Sequence, residues 1–497
     1  MIPWDNEVSL QLTILMPLIA TLAIRLATNI PNIRESITLV TSICLVVIII
    51  NLFHNYTKEV NVEVIWLEIM PGLTMSFSIE PLGLLFVLMA SFLWLITNVY
   101  TIGYMRKSQE QHQTRFYQYF ALTMACVMGI AFADNLFTLY IFYELLTLST
   151  YPLVAHAGDD NAKSNARTYL SILLFTSIMF FLFAIIGTWL VSGSLYFTPG
   201  GLFHQTLSPS ASVKPIISIL LLFFIFGIGK AAIFPFHRWL PAAMIAPTPV
   251  SALLHAVAVV KGGVFTILKV CIYIFGTESI NNLPATQALL YLAGVSVFFA
   301  SLIAMYQDNL KKRLAYSTIS QLGYITIGAL LANSSSIIGA VMHMVIHAFG
   351  KITLFFCAGA ILIMTKKTLI SEMRGIGRQM PITMAAFFIA SLSIIGLPPT
   401  AGIWSKWFLL HGTIQAEQWL LMGILSISSL MNVFYLLPIS ISAFYSQSHH
   451  NHINSTSLEA PLPVLIAICI CASACVILFL FPQPLYLLAS AIISTTS

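Results

Sequence analysis

Apolar residues in this chain run in long blocks, not in the alternating or one-faced patterns of a water-soluble fold. Blocks of roughly 20 residues recur from end to end, each long enough to cross a bilayer as a helix. About fourteen such spans are predicted, over residues 8–28, 36–54, 80–104, 116–133, 136–157, 167–191, 214–246, 250–275, 287–306, 313–332, 337–365, 381–411, 418–446 and 461–482. Helix is expected in each, because lipid offers no partner to a free backbone N–H or C=O. Two spans carry breaks. The seventh has Pro235 shortly after Lys230, and the twelfth reads "IGLPPTAGIWSKWF", with its prolines and glycines just ahead of Lys406. Proline removes an internal helical hydrogen bond, and paired interrupted helices point to a transport site between inverted repeats. The twelfth span follows the seventh by an odd number of crossings, so it runs in the opposite sense, as an inverted repeat requires.

Charge then orients the chain. Connections after odd-numbered spans, with their flanks, hold Arg25, Arg34, Arg106, Lys107, Arg115, Lys163, Arg167, Arg238, Lys311, Lys312, Arg313, Lys366, Lys367, Arg374 and Arg378. The opposite side holds Lys58, Lys214 and Lys269. The positive-inside rule places both termini outside and the basic connections in the cytoplasm. The net charge of +5 is therefore sorted by membrane side and implies no nucleic-acid partner.

Composition agrees with a membrane protein. The chain is 58% hydrophobic and 8% charged, with mean hydropathy +0.91; a soluble domain carries about 25% charged residues. "MIPWDNEVSL" has no basic leader and no cleavage site after the first span, so that span is expected to remain in the mature protein. None of the seven cysteines forms a CxxC pair, and they read as small apolar residues. No Walker loop, dinucleotide fingerprint or iron–sulfur pattern is present, so neither a cofactor nor catalytic chemistry of its own is expected.

Five charges remain inside predicted spans: Lys230, Lys261, Lys351, Lys406 and Glu144, the last in "LYIFYELLTLS". Each costs about 2.5–3.5 kcal/mol on insertion scales, which marks them as functional. His343, His347 and Lys351 stand at i, i+4 and i+8, within about 80° of one helix face and along roughly 12 Å. A histidine pair at this spacing can bind metal, but no carboxylate or thiolate lies near it in sequence. A stripe of groups that each take and release a proton suits a relay better. His255 and Lys261 lie six apart, about 120° off one face, so they need not touch. Burial lowers a lysine's proton affinity and a neighbouring carboxylate raises it, so a mobile Glu144 would act as an electrostatic lever. An ion pair between Glu144 and Lys230 is expected. The expected proton order is Lys230, Lys261, the His343–His347–Lys351 stripe and then Lys406, with hydroxyls such as Ser251 or water between them.

These residues resemble the proton-conducting membrane subunits shared by respiratory complex I, membrane-bound hydrogenases and Mrp-type monovalent cation/proton antiporters. The resemblance covers roughly spans 3 to 13. It rests on "FYELLTLSTYPLV", "GKAAIFPFHRWLPAAMIAPTPVSALLHAVAVVKGGVF", "DNLKKRLAYSTISQLGYI", "HMVIHAFGKITLFF" and "LPPTAGIWSKW". It implies an all-α, polytopic core of about fourteen helices with two inverted five-helix repeats. The corresponding domains are residues 1–115, 116–275, 287–446 and 461–482. It also implies a polar axis at mid-membrane. Glu144 falls on the family's fifth-helix glutamate, Lys230 and Lys261 on its central lysines, His343 and His347 on its eleventh-helix histidines, and Lys406 on its terminal position. Lys351 matches a lysine found in part of the family.

A terminal lysine, and a chain that ends at Ser497 soon after the last span, are similar to the D-type antiporter subunit. The resemblance then implies Na+/proton exchange together with other membrane subunits, in a bacterial inner membrane. The alternative is a proton-pumping subunit of NADH-quinone oxidoreductase or a hydrogenase, in a bacterial or a mitochondrial inner membrane. A bicarbonate-uptake subunit has a related core, but Lys261 is expected to be missing there.

Overall fold

The computed structural model describes residues 5–56, 62–206, 213–446 and 458–494. It is built from helices laid against one another, with one small hairpin. Ten helices are long and apolar enough to cross a membrane. They are α1 (Asn6–Leu26), α2 (Pro31–Tyr56), α3 (Pro81–Ser108), α6 (Asp160–Ser192), α8 (Thr248–Phe275), α9 (Pro284–Tyr306), α10 (Leu310–Leu331), α11 (Ser334–Thr365), α13 (Trp419–Tyr445) and α14 (Leu462–Leu480). Four further predicted spans are α4 (Gln113–Phe132), α5 (Leu136–Val154), α7 (Lys214–Gly227) and α12, which is split into Pro381–Ile395 and Gly402–Gln415. A short helix α15 (Gln483–Ser494) follows. Leu22, Leu26, Val40, Val47, Leu190 and Phe434 turn outward and stay exposed, as side chains facing lipid should. By contrast α8, α10 and α11 are almost wholly enclosed.

Local chemistry starts and stops these helices. Asn333 and Ser336 cap α11 reciprocally, each side chain bonding the other's backbone N–H. Asp159 accepts from Ala162 N at the start of α6 (2.8 Å), and Asn309 from Lys312 N at the start of α10 (3.1 Å).

The sequence pattern gave no strand, yet the connection from α2 to α3 folds as an antiparallel hairpin, β1 (Glu63–Met70) and β2 (Leu73–Ser78). Gly72, at φ +83°, turns it. Val64 and Phe77 are buried while Ile65 and Leu67 are exposed, the period-2 alternation of a strand. Asn135, the N-cap of α5, donates to Thr74 O and Ser76 Oγ (both 2.9 Å) and fastens the hairpin to the bundle.

Spans 7 and 12 are broken as predicted. α7 stops at Gly227, and Lys230 sits within the break, on the turn Gly229–Ala231, not ahead of it. The freed backbone groups find new partners, which is what makes such a break tolerable in a membrane. Gly229 O accepts from Trp239 Nε1 (2.9 Å), Phe234 N donates to Ser296 Oγ (3.1 Å), and Lys230 N donates to the Tyr143 hydroxyl (3.2 Å). In span 12 the first half ends at Gly396, whose φ of +90° suits glycine. Lys406 lies on the second half. Span 8, predicted as continuous, is interrupted too. At Val257 and Ala258 both N–H groups turn to Leu253 O (3.0 and 2.9 Å), so His255 and Lys261 lie on different helical segments.

A buried row of ionisable side chains

Four lysines stand in the interior with neutral partners. Lys230 Nζ donates to Tyr143 O (2.8 Å) and Thr147 Oγ1 (2.7 Å), and lies 3.1 Å from the centre of the Tyr143 ring. Lys261 Nζ lies 2.7 Å from His347 Nδ1. Lys351 Nζ donates to Ser317 Oγ (2.7 Å) and Leu314 O (3.3 Å). Lys406 Nζ donates to Ile395 O (2.9 Å), a carbonyl released by the break in α12, and to Ser429 Oγ (2.9 Å). Lys230, Lys261 and Lys351 are fully buried and Lys406 is 6% exposed. A charge buried without a counter-ion is costly, and none of these four ammonium groups has a carboxylate in contact.

The expected contact pair of Glu144 with Lys230 is not made. The ammonium turns to the carbonyl of the preceding residue, Tyr143, and both Glu144 carboxylate oxygens are buried without a hydrogen-bond partner. Lys230 meets the Tyr143 and Thr147 side of α5, and Glu144 stays near enough to act on it through charge without touching it. Residues adjacent on a helix point about 100° apart, which separates the acid from the base.

The stripe on α11 is continuous. The His343 and His347 rings stack at 5.7 Å. His343 Nδ1 lies 2.9 Å from Ser405 Oγ, and its Nε2 lies 3.1 Å from Gln321 Oε1. The two stacked histidines thus carry the row from Lys261 to Ser405, the residue before Lys406 on α12. Lys351 leaves this line and turns to α10. His255 does not join it: neither ring nitrogen has a hydrogen-bond partner, and the ring packs on Phe355 at 5.1 Å. Ser251, expected between lysines, donates instead to Ala246 O (3.2 Å). Lys230 and Lys261 come from segments that touch. α8 packs on the α7 break at Gly263, where an added Cβ would stand 2.5 Å from Ala231 N and from Lys230 C.

Lys269 corrects the charge assignment. It is not on an outer connection but fully buried in α8. It pairs with Glu80 at 2.5 Å and donates to Ala133 O at 2.6 Å. α8 extends to Phe275, past this residue, and Phe197 covers the ammonium at 4.5 Å. Of the five lysines buried in the bundle it is the one with a carboxylate in contact, among the described residues. Lys58, assigned to the same side, lies outside the described residues.

Sequence reading passed over the polar residues around the row: Tyr143, Thr147, Ser317 and Ser429, which receive lysines, Gln321 and Ser405, which meet His343, and Tyr324, whose ring lies beside Lys406 and His343. A signal was available on α10, since positions 317, 321 and 324 stand at i, i+4 and i+7 in an apolar span.

Broken helices around a buried row of ionisable groups define a class: polytopic membrane proteins built around a polar axis inside the bilayer. Residues 133–432 match the family described as NADH:quinone oxidoreductase/Mrp antiporter, TM, and residues 66–117 match NADH-Ubiquinone oxidoreductase (complex I), chain 5 N-terminus. The chain belongs to this family of antiporter-like membrane subunits. NADH-quinone oxidoreductase subunit N of Desulforudis audaxviator is 33% identical over 369 residues, covering 74% of this chain and 72% of that protein. NAD(P)H-quinone oxidoreductase chain 5 of Synechocystis sp. is 32% identical over 357 residues, covering 69% of this chain and 51% of that one. The chain thus spans about half the length of the chain 5 relatives it matches. Among solved structures, one similar chain belongs to the membrane-bound sulfane sulfur reductase, an archaeal respiratory membrane complex. Its TM-score is 0.86 at 21% identity, over 99% of this chain and 98% of that one. Another belongs to the Mrp complex from Dietzia sp. DQ12-45-1b, with TM-score 0.83 at 17% identity and 98% of both chains covered. At these identities the two structures establish the fold.

Proposed function

We propose that this chain moves protons through the middle of a membrane as one subunit of a multisubunit complex. The contact between Lys261 Nζ and His347 Nδ1, 2.7 Å apart, carries the reading. An ammonium at that distance from an imidazole nitrogen can hand its proton over directly, and neither group has a carboxylate in contact to fix the charge. The proton then passes from His347 to His343, through Ser405, to Lys406. Lys230 loads Lys261 across the contact of α7 with α8, through water. Glu144, with no partner of its own, biases Lys230 through its charge. His255 lies off the line, and Lys351, one helical turn from His347 on α11, exchanges protons with it through water. The repeats over 116–275 and 287–446 divide this labour, with Lys230 and Lys261 in the first and His343, His347, Lys351 and Lys406 in the second.

The complex is a respiratory or antiport assembly in a bacterial inner membrane. Two couplings are distinguished by experiment. The Mrp-like fold and the terminal Lys406 favour exchange of protons for Na+. The 33% identity to an NADH-quinone oxidoreductase subunit favours coupling to quinone reduction. A deletion strain sensitive to Na+ at alkaline pH but normal in NADH oxidation supports the first, and loss of NADH-driven acidification in inverted vesicles supports the second. The relay itself is tested by Lys261→Ala and His347→Ala in the assembled complex. Each is expected to lower proton flux at least about tenfold, the scale of losing one positioned proton-transfer group. Unchanged flux in both would remove the relay.

A further inference from the structure

A second set of polar groups, away from the histidines, lies between Lys351 and Lys406. α10 and α13 lie side by side with polar groups facing each other. From Lys351, Ser317 Oγ is 2.7 Å away, and the Ser317 and Tyr435 hydroxyls are 2.8 Å apart. Tyr435 in turn donates to Asn432 Oδ1. One helical turn on, Ser301, Ser320 and Ser428 form a closed ring, with Oγ–Oγ distances of 2.8, 2.7 and 3.0 Å. Beyond it, the Tyr324 hydroxyl donates to Leu425 O at 2.6 Å and lies 3.1 Å from Ser429 Oγ, which follows Ser428 on α13 and accepts from Lys406 at 2.9 Å. Every one of these groups is enclosed except Ser429. Between Tyr435 and the ring, the fully buried Asn432 holds an Nδ2 that has no partner. Buried polar groups without partners are rare and mark a missing water or ion. Nδ2 is a donor that one bound water would satisfy.

We infer that this seam is a second proton route, parallel to the histidine stripe, running from Lys351 to Lys406. The inference rests on the proposed function. A proton leaves the Lys351 ammonium for Ser317 as Ser317 passes its own to Tyr435. Tyr435 passes one to a water held by Asn432 Nδ2. The water supplies the serine ring, the ring delivers to the Tyr324 hydroxyl, and Tyr324 turns its own proton from Leu425 O to Ser429, which passes one to the neutral amine of Lys406. Each hydroxyl gives one proton and takes one, so the net event is loss of a proton by Lys351 and gain by Lys406. The ring matters because a closed set of three hydroxyls can reverse its sense of donation without leaving any oxygen unpaired.

Serines between helices are also simple glue. Parallel conduction is separated from glue by a double-variant cycle on the assembled complex in inverted vesicles. Proton flux is read with a pH-sensitive dye, and assembly is checked by melting. His343→Leu closes the histidine line and leaves a residual flux, and Ser428→Ala lowers flux modestly. Two conductors in parallel fail together, so His343→Leu with Ser428→Ala is expected to fall at least about tenfold below the product of the single effects. Ser428→Thr, which keeps the hydroxyl, is expected to retain the residual flux in the His343→Leu background. Tyr435→Phe removes one oxygen with little change of packing and is expected to act as Ser428→Ala does, so a poorly assembled serine variant leaves the answer intact. A double variant at the product of the single effects, for both Ser428→Ala and Tyr435→Phe, would overturn the seam alone. A parent complex that moves no protons would overturn the proposed function and the seam together.

Discussion

Lysine, not arginine, occupies every position in the buried row, and the geometry gives the reason. Arginine does not release its proton in a protein, and its planar fork does not fit a single nitrogen acceptor 2.7 Å away, as His347 Nδ1 is from Lys261. Lys261→Arg is therefore expected to lose proton flux almost as fully as Lys261→Ala, although it keeps the charge. Flux near that of the parent would mean that a fixed positive charge suffices. The sites were only partly legible at this scale. A lysine inside an apolar span announces itself, because its insertion cost demands a function. Its partner does not, because threonine, serine and tyrosine are common in membrane helices. That asymmetry explains why Lys230 was found and Thr147 was not. It also explains the Glu144 pairing: opposite charges on neighbouring helices invite a bridge, but the rotation of α5 assigns Lys230 to the Tyr143 carbonyl.

Elements hold these side chains by close packing at a few small residues. Gly263 lets α8 rest directly on the α7 break, and an added Cβ would meet backbone at 2.5 Å. Backbone cannot swing aside as a side chain can. Gly263→Ala is expected to destabilise the fold by at least about 3 kcal/mol, the upper end of ordinary overpacking. It should also weaken Lys230-dependent transport more than expression. Thermal melting of the detergent-solubilised complex checks this, and an unchanged melting temperature would contradict the packing. The breaks in spans 7 and 12 were visible as proline and glycine. The interruption of α8 was not, since "HAVAVV" contains neither; it depends on two N–H groups sharing one carbonyl. The hairpin was hidden because its strands are short and its anchor, Asn135, lies far along the chain.

Across the whole molecule, the distribution of basic residues predicts that connections after odd-numbered spans face the cytoplasm. Lys163→Cys, near the start of α6, should react with a membrane-impermeant thiol reagent in inverted vesicles and not in intact cells. Asn281→Cys, between α8 and α9, should do the reverse. The opposite result for both would invert the topology. Membrane class, span number, the two proline breaks and the buried lysines follow from sequence, because hydropathy, helix breaking and the cost of a buried charge are local properties. Partner choice does not. Lys269 reaches Glu80 across α8 and α3, His347 reaches Lys261 across α11 and α8, and the serine ring takes one hydroxyl each from α9, α10 and α13. In lipid the hydrophobic effect does not drive one helix toward another. Close packing and interhelical hydrogen bonds select the rotation of each helix, and only the assembled bundle determines which polar groups meet.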